Sequence, residues 1–436
     1  MGLSLLLRFL IGRRQAVLDI AADPRSFGMG LLWVLGAALA RRYDRADLLA
    51  EPWHLVMPLL VSTFNGTILF LLLWLCFLRK AENRASFFEE WRLLLAMFWM
   101  TAPLAWLYAV PVERFLSSYD AALANLWFLA VVAGWRVILY TRIVAVLLDI
   151  GFFRAFFPVM LFSNAVAAAF ALFSPKPIWA IMGGLVHSPE DELIFSVSFN
   201  IFFLGTPLLL VWLIGTFFAA SSSEPRRVPL INVRPASASA WIWPVVGILM
   251  WIPILPSTQS EQRLAHRLDQ LLAADEIDDA ARLIAEHEPG DFPPQLNPRP
   301  AFWEGRMTPS AWRVLHALEK HGADASWLEL YRAKCAREIE SHPGMMPFNW
   351  AAEPDILEAM QGLVGSSEVV DAVLAERVLR QDVDDSEAQR AEIRDSLASM
   401  IERAREPKLE DMPEYAAEDT AESTAENTSE DLPEPP

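Results

Sequence analysis

The sequence predicts an all-α protein: a polytopic transmembrane helical bundle of about seven spans, a C-terminal soluble helical domain and a disordered acidic tail. Three observations predict it. The 436-residue chain is 54% hydrophobic, with 17 Trp and 26 Phe, and its apolar residues fall in long runs that few soluble folds accommodate. The last such run is WIWPVVGILMWIPILP, residues 241–256, after which no apolar run exceeds a few residues. Charge divides at the same place, with 19 Lys/Arg against 15 Asp/Glu over 1–256, 16 against 28 over 257–405 and 1 against 11 over 406–436. The net charge of −18 thus belongs to the C-terminal third, and its sign argues against a nucleic-acid partner, since a polyanion would be repelled.

The elements follow in chain order. Residues 1–23 read as an amphipathic interfacial helix: Arg8, Gly12, Gln15 and Asp19 recur along one side, and Leu3, Leu6, Leu10 and Val17 occupy the other, which suits a membrane surface. A cap packed on the bundle is the bland alternative. The arginines follow the apolar residues in MGLSLLLRFLIGRRQ, the wrong order for a signal peptide, so this segment is expected to be retained. Asp23-Pro24 has the form of a helix start. The run it opens, 27–40, is short for a span, but 24–42 would cover roughly 27 Å at 1.5 Å per residue, enough if Arg25 and Arg41 snorkel. The remaining spans are expected at 55–78, 93–110, 121–140, 155–173, 193–220 (with Pro207 inside) and 241–256, the last shortened or bent by its three prolines. The expected bundle is therefore 24–256.

Basic-residue bias arbitrates the count. With seven spans and a cytoplasmic N-terminus, the inside segments hold Arg8, Arg13, Arg14, Arg25, Arg79, Lys80, Arg84, Arg92, Arg136, Arg142, Arg154, Arg226, Arg227 and Arg234. The outside loops hold only Arg41, Arg42, Arg45, Arg114 and Lys176. Removing the first span exchanges later loops, and the bias largely disappears. The expected orientation therefore has the N-terminus in the cytoplasm and the C-terminal domain outside it.

Residues 257–405 read as helices throughout. Thr258 and Glu261 have capping-box spacing; 276–288 pairs with that helix as a hairpin; 290–306 is Pro-rich. Thr308-Pro309 starts a helix that Gly322 follows, and Asp324 caps the next, which stops before Pro343. Helices are also expected at 354–363, 368–381 and 386–405. Trp312, Leu315, Leu318, Trp327, Leu330 and Ile339 are core candidates, and no repeat period is visible. Residues 406–436 are too polar and self-repelling to fold.

Several residues could carry chemistry. Arg136 and Arg142 stand at or near hydrocarbon depth, where an arginine can hold an anion or a lipid headgroup; the commoner reading is a helix end from which both snorkel. Trp135, Arg142 and Asp149 recur every seven residues, so Asp149 could neutralise Arg142. Asn65, Asn164 and Asn200 sit in three different spans beside small residues. They could line a path, although interhelical packing is the more frequent use. His187-Ser188-Pro189-Glu190-Asp191-Glu192 resembles a metal cluster but suits a helix start better. His54, Glu51 and Asp47 form an interfacial cluster read as solvated. His316 and His321, five apart, read as a surface helix. Cys76 and Cys335 lie in incompatible contexts for a disulfide, and no Cys/His spacing points to a metal. The motifs GxSxG, HExxH, GxGxxG and the P-loop are missing; Gly183-Gly184 and Gly362 to Gly365 lack their flanking strands. No catalytic, cofactor-binding or metal-ligating residue is assigned, and no cofactor is expected.

The stretches LIGRRQAVLDIAADPRSFGMGLLWVLGAALARRYDRADLLAEPWHL and EHEPGDFPPQLNPRP resemble a group of multi-pass membrane proteins of planctomycete-type bacteria, a likeness that covers most of the chain and implies no activity or site. The layout is loosely similar to Yip-type membrane proteins, from which the appended helical domain departs. The expected function is a membrane-anchored scaffold or interaction protein presenting its helical domain, with the lipid bilayer and a protein as partners. The alternative is a transporter or lipid-handling protein that uses Arg136, Arg142 and the asparagines.

Overall fold

The computed structural model describes residues 2–81, 85–173, 189–221, 225, 227–230, 233, 235–293, 311–341, 391 and 395. It is all-helical, with no strand among the described residues, and six of its helical segments are long and apolar enough to cross a membrane: Trp53–Lys80, Phe87–Arg114, Ser118–Leu147, Phe152–Leu172, Glu192–Ser221 and Ala238–Ala273. The chain divides into two compact units, one of 1–270 with 288–297, the other of 271–287 with 298–436.

The first unit opens with α1 (Gly2–Leu10) and α2 (Arg14–Ala21). A single helix was expected here. Gly12, at φ +72°, breaks it, and the Arg13 amide closes the turn on the Arg8 carbonyl at 2.9 Å. The backbone there is left-handed, a conformation glycine adopts at no steric cost. The break gives the halves different surroundings. In α2, Ala16, Val17, Leu18, Ile20 and Ala21 are all buried, whereas α1 buries Leu6 and Phe9 and leaves Leu3 and Leu7 exposed.

There follow α3 (Ser26–Arg42), α4 (Trp53–Cys76) and α5 (Phe87–Trp99), the last begun by a capping box between Ser86 and Glu89. After Thr101 the chain tightens into a 3-10 helix, Ala102–Ala109, with Pro103 in its first turn. Next come α6 (Ser118–Leu147), α7 (Phe152–Phe173) and α8 (Pro189–Ser221). The final run breaks at Met250 into α9 (Ile242–Leu249) and α10 (Trp251–Ala273). Pro253 has no N–H to give to Leu249, which accounts for the break. Helix α6 extends seven residues past its expected end at Tyr140 and stops where Asp149 takes φ +49°. The Ile150 amide then closes on the Ala145 carbonyl at 3.1 Å, a Schellman ending.

Polar contacts of the first unit gather in two sets. In one, Asp23 accepts from Trp241 Nε1 at 3.0 Å, the Ala236 amide donates to the Asp19 carbonyl and the Val228 amide to Leu147, Arg14 pairs with Asp149 at 2.9 Å and Arg154 Nε donates to the Ala219 carbonyl at 2.8 Å. In the other, the Tyr43 hydroxyl donates to the Ala109 carbonyl at 2.9 Å, Arg45 pairs with Glu113, Arg114 with Glu261, and Asn125 donates to Glu113 at 2.7 Å. Helix α3 runs from the Asp23 set to the Tyr43 set, and so do α9 and α10; these helices are parallel neighbours. Between the sets, Trp33, Trp106, Trp251 and Tyr43 form an aromatic chain with ring centroids 5.8, 5.9 and 5.1 Å apart. Glycines make room for its middle member: a Cβ on Gly247 would meet the Trp106 ring at 2.8 Å and one on Gly36 at 3.0 Å.

The second unit contains α11 (Ile277–Ala285), α12 (Ala311–Lys320) and α13 (Ala325–Ser341). Ala280, Ala281, Leu283, Ile284, Val314, Leu315, Leu318, Trp327 and Tyr331 form its buried set, and Trp327 Nε1 donates to the His287 carbonyl at 2.6 Å. Gly322 ends α12 at φ +67° as expected, and the Asp324 carboxylate, just before α13, accepts from the Ala325 amide and the Ser326 hydroxyl. The expected helices at 354–363, 368–381 and 386–405, the Thr308 start, the side chains of Trp312, Cys335 and Ile339, and the tail 406–436 lie outside the described residues.

Candidate functional site

Among the described residues the densest polar construction is the stretch of α10 that meets the loop after α3. Thr258, Gln259 and Gln262 are buried at positions i, i+1 and i+4, which share one helical face. That face meets the loop after α3. Thr258 Oγ1 donates to the Tyr43 carbonyl at 2.8 Å. The Gln259 amide nitrogen donates to Tyr43 at 2.9 Å and Ala46 at 3.1 Å, while its oxygen accepts from the Leu48 amide at 2.8 Å. Gln262 Nε2 donates to the Asp44 carbonyl at 2.7 Å. A tight loop has carbonyls and amides that no helix or sheet satisfies, and two glutamines, each with donors and an acceptor, match them. This corrects the expectation for Thr258 and Glu261: they start no helix but lie inside one, Thr258 on the loop and Glu261 paired with Arg114.

Charged groups surround the junction. Asp47 is buried and accepts from the amides of Leu49 and Ala50 at 3.0 and 3.1 Å, with Arg263 3.9 Å away. Glu51 lies 3.1 Å from His54 and 4.0 Å from His266, so the cluster expected to be solvated is in part tied to α10. Burial pushes the Asp44 carboxyl up to about 6; Arg45 and Arg114 pull it down and Glu113 pushes it further up. Burial, with Asp44 beside it, pushes the Tyr43 hydroxyl up to about 12. On the opposite set, burial alone would raise Asp23. Hydrogen bonds from the Arg25 side chain and amide and from Trp241 outweigh it and hold the carboxyl below its ordinary value.

The residues singled out from sequence are not brought together. Arg142 Nε donates to the Gly12 carbonyl at 3.2 Å, so it fastens the elbow between α1 and α2. Asp149 pairs with Arg14 and not with Arg142; its left-handed backbone turns it off the α6 stripe. Asn164 Nδ2 donates to the Gly205 carbonyl at 2.7 Å, a packing contact between α7 and α8. Asn200 donates to the Ser196 carbonyl of its own helix at 2.8 Å. Asn65 is half-buried on α4. Arg136 alone keeps a provocative setting: its Nε donates to Thr101 Oγ1 at 3.1 Å and its guanidinium lies 5.0 Å from the Phe98 ring centre. Among the described residues these side chains do not contact one another. His316 is exposed on α12, and His321 sits 3.2 Å from Asp278. Among the described residues no group of three or more His, Cys, Asp or Glu is placed to hold a metal; His187, Ser188 and the pair Gly183-Gly184 lie outside them.

Sequence reasoning missed Gln259, Gln262 and Asp44. A signal existed: Trp251, Leu255, Thr258, Gln262 and Ala265 continue one helical stripe across the point where hydropathy falls. No family model, curated protein or solved structure matches the chain.

Proposed function

We propose that the protein is a non-enzymatic, multi-pass protein of a bacterial inner membrane that anchors an acidic helical domain and presents it to a protein partner outside the cytoplasm. The observation that carries this reading is the junction of α10 with the loop after α3. Holding an apolar helix in lipid requires no buried glutamines. Their use at 258–262 makes sense if the chain must leave the bundle along a defined path, as a helix that persists to Ala273.

The placement rests on counting α3 as a seventh crossing beside the six membrane-length segments. Helix α3 has 17 residues, roughly 26 Å at 1.5 Å per residue, and joins the same two polar sets as α9 and α10. Counting it as a span alternates every later segment and puts Arg8, Arg13, Arg14, Arg25, Arg79, Lys80, Arg154 and Arg227 on the Asp23 side. Arg41, Arg42, Arg45 and Arg114 fall on the other. By the positive-inside tendency the Asp23 side is cytoplasmic. Reporter fusions after Arg42, Ser222 and Ser260 test the reading. A reporter active only in the cytoplasm is expected to work after Ser222 and to fail after Arg42 and Ser260; cytoplasmic activity after Ser260 would refute it.

A further inference from the structure

We propose that Arg136 is a binding site for the phosphodiester of a membrane phospholipid, held at the edge of the bundle by Thr101 and Phe98. Three observations carry it. The first is fixation. Thr101 is buried and its hydroxyl proton goes to the Phe98 carbonyl at 2.7 Å, which leaves the oxygen to accept Arg136 Nε at 3.1 Å. With one edge on Thr101 and its face 5.0 Å from Phe98, the guanidinium is held in one orientation instead of sweeping freely, and both Nη groups remain for a ligand.

The second is charge. Arg14, Arg25, Arg45 and Arg114 each have a carboxylate partner, and Arg142 and Arg154 each donate to a carbonyl. Among the described residues no carboxylate lies within ion-pair distance of Arg136. A cation beside hydrocarbon without a counter-charge is costly, so it calls for an anion from elsewhere. The third is position. From Tyr119 to Ile138, α6 exposes Tyr119, Trp127, Leu129, Val131, Trp135 and Ile138, and from Leu139 to Leu148 it is almost wholly buried. The exposed stretch of 20 residues covers about 30 Å, the thickness of a bilayer core. Arg136 stands at its end beside Trp135, whose indole donates to the Leu10 carbonyl of α1 at 3.1 Å. A Trp beside an Arg is the pairing that gathers where a helix nears the headgroups. A planar fork of donors suits phosphate, and the exposed apolar neighbours of Arg136, Trp135 and Ile138, make a lipid the source to test.

The test uses the full chain purified in a neutral maltoside detergent, titrated with phosphatidylglycerol, with diacylglycerol lacking phosphate, and with inorganic phosphate. Binding is read as thermal stabilisation and as lipid retained in native mass spectrometry. Phosphatidylglycerol is expected to bind saturably and the other two not. Arg136→Gln should weaken that binding about 10- to 100-fold, the range for losing hydrogen bonds to a charged group, and Arg79→Gln should leave it intact. Thr101→Val keeps the charge but removes its anchor and should weaken binding several-fold; it also carries the test if Arg136→Gln does not fold. Unchanged retention in Arg136→Gln or in Thr101→Val would overturn the proposal. Equal stabilisation by inorganic phosphate would overturn the lipid assignment.

Discussion

Gln259→Met is the sharpest probe of the junction. The substitution keeps volume and helix propensity and removes three hydrogen bonds, those to Tyr43 O, Ala46 O and from Leu48 N. Tyr43 O retains Thr258, so two backbone groups, the Ala46 carbonyl and the Leu48 amide, lose the partner that the Gln259 side chain supplies. At about 1–3 kcal/mol for each buried unsatisfied group, the loss is about 2–6 kcal/mol, with water entry favouring the lower half. For a unit of this size that corresponds to a fall in Tm of roughly 5–10 °C. The assay is thermal unfolding of the purified full chain followed by tryptophan fluorescence, alongside limited proteolysis between Tyr43 and Pro52. Gln270→Met, at an exposed position on the same helix, is the control and should shift Tm by no more than a degree or so. If Gln259→Met matches that control and the loop gains no protease sensitivity, the hydrogen bonds contribute nothing net. The argument that they fix the departure of α10 then falls.

Two further outcomes follow from the same geometry. Gly247→Ala places a methyl 2.8 Å from the Trp106 ring, which Gly36 confines on another side. It should cost about 1–3 kcal/mol, and pairing it with Trp106→Phe should recover part of the loss; simple additivity of the two would count against a shared slot. Asp44, raised to about 6 by burial, contributes stability that is fully present below the ordinary carboxyl range and is lost as pH rises through about 6. Asp44→Asn should therefore match the parent near pH 4 and exceed it in Tm at pH 8, and a difference that does not grow with pH would refute the assignment.

Much of the architecture was legible in sequence because hydropathy is a local property. The six long apolar segments needed only run length and composition, and the ending of α12 at Gly322 needed only turn chemistry, which acts within four residues. The elbow at Gly12 was not legible, since an amphipathic stripe continues through it and nothing local says that Arg142 will bond to the Gly12 carbonyl. The end of α6 was misplaced because residues 141–147 are apolar with one arginine, and lipid and a packed α2 read alike in hydropathy. Thr258 and Glu261 had the spacing of a helix start. Only a loop more than 200 residues earlier, presenting unpaired carbonyls, turned that stretch into helix interior.

The sequence alone determined that this is a helical chain with membrane-length apolar segments and an acidic C-terminal third, because length, periodicity and charge are written residue by residue. The tertiary structure decided which polar groups meet: Asp23 with Trp241, Gln259 with the loop after α3, Asp149 with Arg14, and Arg136 with a hydroxyl and a ring. Those pairings depend on which helices become neighbours, a choice made by shape, including glycine slots for Trp106, over separations that no local pattern spans.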